Sequence, residues 1–181
     1  MSIFDLYCCG CFVQFSNPIF AFMKVPKEVV IGNLMDAGEI VKVDKLVKKT
    51  LRRAIMIAVT IATLMFLFSN PLFGLFSDDP KVLKLGKIIL MLDIILEAGK
   101  CSNNVLVRSL QATGDIKFPM MIGICSMWAI AFGFGFFLAV VCKLGLVGIW
   151  IGMALDEDIR AVIFFFRWKL GRWRYIRLAG E

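Results

Sequence analysis

From Ala54 to Phe76, and again from Phe118 to Cys142, the chain runs without a charged residue. Each run is longer than the roughly 20 residues that carry a helix across a hydrocarbon core about 30 Å thick. In lipid a spanning segment must satisfy its own backbone amides and carbonyls, which a helix does. A third apolar run, Leu144 to Phe166, has similar length and is broken only by Asp156-Glu157-Asp158-Ile159-Arg160. Residues 80 to 112 supply a fourth helix-length segment. Hydrophobic residues make up 60% of the chain, above the roughly 45–50% of soluble domains. Together these features predict an all-α polytopic membrane bundle of about four transmembrane helices over residues 41–181. A hydrophobic segment over residues 1–40 precedes it.

The net charge of +7 raises the question of a nucleic-acid partner, but the positions of the charges argue against one. Lys42, Lys45, Lys48, Lys49, Arg52 and Arg53 precede the first span, Arg108 and Lys117 lie between the second and third, and Arg167, Lys169, Arg172, Arg174 and Arg177 follow the fourth. The opposite connections hold only Asp78-Asp79 with Lys81, and Lys143. By the positive-inside rule the basic ends are cytoplasmic, which predicts a multi-pass plasma-membrane protein with a cytoplasmic C-terminus. Residues 40 to 53 alternate apolar and basic groups at helical spacing, as an interfacial helix feeding the first span does. Trp168, Trp173 and Tyr175 stand where an interfacial aromatic belt would anchor the last helix.

Local signals set the helix boundaries. Ser77-Asp78-Asp79-Pro80 supplies a capping carboxylate and a proline at the first helical position, and Gly114-Asp115 ends that helix. Lys143-Leu144-Gly145 leaves a very short turn before the last span. Cys11 to Met23 is apolar but too short to span alone and contains Asn17-Pro18, so it reads as an interfacial or re-entrant segment or as the remnant of a transmembrane helix. With no histidine and six scattered cysteines, the chain lacks a metal framework, and no cofactor is expected. No nucleophile-base set or phosphate-cradling loop is present, so an enzyme is not expected either.

The segment from 80 to 112 carries Asp93, Glu97, Lys100, Asn104, Arg108 and Gln111. At about 100° per residue these spacings of three and four put all six on one stripe. Ionisable groups in a bilayer cost roughly 2.5–3.5 kcal/mol each, so they persist where they face protein or an aqueous pathway. Glu97 falls near the midplane, Asp93 one turn outward and Lys100 one turn inward. Two readings remain open. In one, Glu97 pairs with Lys100 and Asn104 takes up the remaining hydrogen bonds. In the other, Glu97 or Asp93 binds a coupling cation. Asp156 and Arg160, four residues apart on the last helix, read as a structural ion pair.

Several segments resemble one family. Ile31-Gly32-Asn33-Leu34-Met35-Asp36-Ala37-Gly38-Glu39 resembles the signature that closes the second helix of each six-helix half in multidrug and toxin extrusion (MATE) transporters. Leu75-Phe76-Ser77-Asp78-Asp79-Pro80-Lys81-Val82 resembles an outer loop of that family, and Ser109-Leu110-Gln111-Ala112-Thr113-Gly114-Asp115 an inner one. Leu144 to Trp150 with Met153-Ala154-Leu155-Asp156-Glu157 and Arg160 is similar to the start of the last helix, and Arg167 to Trp173 to its basic exit. Met35-Asp36, Ala98, Gln111 and Asp158 depart from the pattern; Asp158 replaces an aromatic and should point away from Arg160, toward lipid.

The resemblance implies helices nine to twelve of a twelve-helix antiporter, with residues 11–34 as a remnant of helix eight. Such a transporter exports organic cations or drugs in exchange for protons or sodium, through a cleft between two lobes. On this reading the chain needs a complementary transporter half or a second copy of itself. The alternative is a truncated, non-transporting membrane fragment. An acidic cation site on the tenth helix would fall on Glu97 or Asp93.

Overall fold

A computed structural model describes residues 25–69 and 80–176. The expected readings of Cys11 to Met23, with its Asn17-Pro18, and of the Ser77-Asp78-Asp79 cap lie outside the described residues. The helices are α1 (Val25–Asp36), α2 (Ile40–Leu67), α3 (Pro80–Ala112), α4 (Lys117–Val141), α5 (Leu146–Lys169) and the short α6 (Trp173–Ile176). Among the described residues there is no strand, and the protein is an all-α membrane bundle. Among the described residues two helices, α2 and α4, are long and apolar enough by themselves to cross a membrane. α3 and α5 have the length but carry the ionisable residues that lower their hydropathy.

α3 is the central element, packed along α5 on one side and α2 on the other, while α4 packs on α5. At about 1.5 Å per residue α3 is about 50 Å long, more than a hydrocarbon core requires. Residues 40–53 do not form a separate interfacial helix; they continue without a break into the first span.

The sharp turns have a common cause. Gly38 and Gly114 have φ of 71° and 93°, a region that favours glycine. In each turn the glycine N–H donates to the carbonyl three residues back, Gly38 to Met35 and Gly114 to Gln111. The following acid's N–H donates five back, Glu39 to Leu34 and Asp115 to Leu110. These paired bonds form a Schellman cap, which satisfies helix-end carbonyls and reverses the chain without a long loop. Gly171, with φ of 70°, turns α5 into α6.

Packing relies on small residues. Ala54, Ala58 and Ala62, each four apart, are the buried row of α2. On α5, Gly148 and Gly152 meet the backbone of α4: a Cβ on Gly148 would lie 2.7 Å from Ala139 N, and one on Gly152 2.9 Å from Gly135 N. Close backbone approach of this kind holds membrane helices together by dispersion, since lipid supplies no hydrophobic drive between them. α4 itself widens into π-helical turns over Met127–Phe134 and Phe137–Val141 and presents Trp128, Phe132, Phe136 and Phe137 outward. Nothing in the sequence pattern announced those turns.

Trp168 and Trp173 are not an interfacial belt. Both are buried, stacked with ring centroids 4.3 Å apart. Trp168 Nε1 donates to Asp44 on α2 at 3.0 Å, and Trp173 Nε1 donates to the Trp168 carbonyl at 2.9 Å. The left-handed Gly171 folds Trp173 back onto α5, and the two indoles close the end of a core containing Val43, Val47, Leu106, Leu110 and Phe164.

Gly152→Ala should destabilise the chain by about 1–3 kcal/mol, because the new methyl meets backbone that cannot swing away. Gly32→Ala, which meets nothing within 4 Å, should not destabilise it. Thermal unfolding of both variants in detergent checks the contrast.

Candidate functional site

The six stripe residues take different places. Asp93 and Glu97 are buried, with 7% and 3% of their surface exposed. Lys100 Nζ reaches Glu97 Oε1 at 3.1 Å. Asn104 and Gln111 are half-buried and Arg108 is exposed. Asp93 Oδ1 is buried without a hydrogen-bond partner among the described residues. The helix twist places these two carboxylates about one turn apart on a face away from Ala98 and Ser102, which line a groove on the other side.

The amide that bonds across to α5 is Asn103, not Asn104. Asn103 Nδ2 donates to Glu157 Oε2 at 2.6 Å. Arg160 Nη2 donates to Glu157 Oε1 at 2.8 Å and to Asp156 Oδ2 at 2.6 Å. The sequence-expected Asp156 and Arg160 therefore lie together within a larger cluster that ties α3 to α5. Asn103 Oδ1, Asp156 Oδ1 and Arg160 Nε are buried without hydrogen-bond partners among the described residues, so the cluster keeps unused capacity for a proton, a cation or water. Asn103 was the residue that sequence reasoning missed. Its signal was its place in the row Leu96, Gly99, Asn103, Leu106, Leu110, spaced three and four apart, where a lone amide among core residues requires a partner on the facing helix.

Asp158 is half-buried in a groove that opens on the outer surface of the bundle. Its carboxylate packs over Gly99, where a Cβ would overlap it, and it lines the groove between α2, α3 and α5. Only the missing glycine side chain gives it that seat. At the other end of α5, Arg167 Nε donates to Asp115 Oδ2 at 2.8 Å and its guanidinium lies 4.4 Å from the Phe118 ring centroid. The acid that follows the Schellman glycine thus ties the α3–α4 turn to the last helix. Among the described residues no group of three or more metal-ligating side chains is gathered.

The family model described as MatE matches residues 10–137. The chain belongs to the MatE family. The MatE chain is 32% identical over 146 residues to the uncharacterized transporter YisQ of Bacillus subtilis, covering 81% of this chain and 32% of that protein. It is 27% identical over 120 residues to the probable multidrug resistance protein NorM of Thermotoga maritima, covering 66% of this chain and 26% of that protein. The NorM of Bacillus licheniformis is 28% identical over 115 residues, 64% of this chain and 25% of the relative. This MatE chain therefore spans about a third or less of the length of these relatives. No solved structure shows a significant match.

Arg160→Met should destabilise the protein by about 3 kcal/mol or more, because it leaves buried Asp156 and neighbouring Glu157 without their cation. Glu157→Gln, which keeps an acceptor for Asn103, should cost less. Denaturant unfolding in mild detergent separates the two, and equal losses would count against a charge-balanced cluster.

Proposed function

We propose that this MatE chain is part of a secondary active antiporter that exports organic cations or drugs in exchange for protons or sodium. The observation that carries the reading is the pair of buried carboxylates, Asp93 and Glu97, in the middle of a long helix, one of them with an unpartnered oxygen. A carboxylate at that depth can alternately hold and release a cation, and Lys100 supplies the counter-charge when Glu97 is empty. Asn104, one turn along, adds a polar group to the same face. Relatives named as multidrug resistance proteins support the substrate class. In this reading the chain resides in the plasma membrane, with its bilayer as solvent and its C-terminus in the cytoplasm. It acts with a complementary transporter half or a second copy, and it moves a solute without transforming it.

Efflux of a fluorescent organic cation from cells, at equal membrane abundance, tests the assignment. Glu97→Gln should abolish coupled export, because an amide cannot titrate. Lys100→Ala should impair it by leaving Glu97 without its cation, and Asp93→Asn should do less harm. Export by Glu97→Gln at the wild-type rate would make the stripe purely structural. Absence of export by the wild type with every complementary half would favour a non-transporting role. For topology, a reporter fused after Tyr175 should be active only if it works in the cytoplasm; activity of an external reporter there would reverse the orientation.

A further inference from the structure

Two acids, one at the N-cap of α2 and one in its first turns, are already engaged. Glu39 holds Lys42 at 2.7 Å and Asp44 holds Lys48 at 2.7 Å. Lys45, Lys49, Arg52 and Arg53 are all exposed, and among the described residues none of them has an ion-pair partner. Their spacings of four, three and one keep them on the outward side of the helix, away from the buried row of Val43, Val47, Ala54 and Ala58. Met56 and Leu64 continue that exposed side and are apolar. The charge therefore stops where the apolar run begins, as it does at the headgroup level of a bilayer.

Beside these cations lies an apolar groove of about 490 Å³ between α2, α3 and α5. Leu51, Ile55, Leu106, Val162, Phe165 and Phe166 form most of its wall. Ile55 is the i+3 neighbour of Arg52 on the surface of α2, so the basic cluster meets the groove at Arg52. The groove extends for about 12 Å along α3 between Leu106 and Ala98. Asp158, seated over Gly99, closes the apolar part at the end away from the cations. A positive mouth leading into an apolar channel has the polarity of one kind of molecule, an amphiphile with an anionic head.

We propose that this face is a binding site for an anionic phospholipid. The phosphate is held by Arg52, with Lys49 and Lys45 beside it on the same side of α2, and one acyl chain lies in the groove. Arginine suits the role because its planar fork can donate two hydrogen bonds to one phosphate. The site is separate from the Asp93 and Glu97 face and does not depend on the transport reading.

Native mass spectrometry of the full chain in a zwitterionic detergent tests it, with phosphatidylglycerol and phosphatidylcholine of identical acyl chains as probes. Phosphatidylglycerol should bind at least about tenfold more tightly. The variant K45Q/K49Q/R52Q should lose that preference, whereas K84Q/K87Q/K117Q, which removes the same charge from exposed positions away from the groove, should keep it. Val162→Trp, which fills the groove, should weaken long-chain phosphatidylglycerol more than a short-chain form, and soluble glycerol phosphate should not compete. Retention of the preference by the first variant, equal loss in the charge-matched one, or full competition by glycerol phosphate would each overturn the proposal.

Discussion

A buried charge in an apolar medium must be matched or removed, and that constraint shapes the bundle more than any other. Glu97 has Lys100, Arg160 serves Asp156 and Glu157 together, and Arg167 serves Asp115. Each match fixes a relation between turns or helices. The Glu157 carboxylate bridges Arg160 on its own helix to Asn103 on α3, so the charge balance of α5 also sets its register against α3. Burying such a cluster is not a source of large net stability, but breaking one member is costly, and this asymmetry holds the pair of helices in one arrangement.

Shape supplies what charge does not. The glycines of α5 let it touch the α4 backbone, and the alanine row of α2 does similar work for the bundle. Gly99 has a different use, making room for a carboxylate instead of a helix. The resulting lobe separates two chemistries on α3: buried carboxylates on one side, and on the other an apolar groove with Asp158 at one end.

Much of this was legible in the amino acids. Apolar run length located the bundle, Pro80 and Gly114 bracket α3 as expected, and the stripe from Asp93 to Lys100 stands out because charge is so costly there. Three features were not fully legible. Asn103 stands out as a lone amide in a core row, but its partner Glu157 is set only by how α3 and α5 pack. Trp168 and Trp173 read as a belt because tryptophan is common at membrane interfaces; only the left-handed Gly171 and the distant Asp44 turn them inward. The π-helical turns of α4 arise in a run of apolar residues whose sequence has no feature that distinguishes one helical pitch from another.

A double-mutant cycle on Glu97 and Lys100 tests charge compensation most directly, read as unfolding free energy in detergent. Glu97→Gln and Lys100→Met should each destabilise the chain, and the double variant should recover most of the loss, with a coupling of about 1–3 kcal/mol. Losses that simply add would mean that the two groups do not answer one another, and that the stripe on α3 is not held by the balance of its own charges.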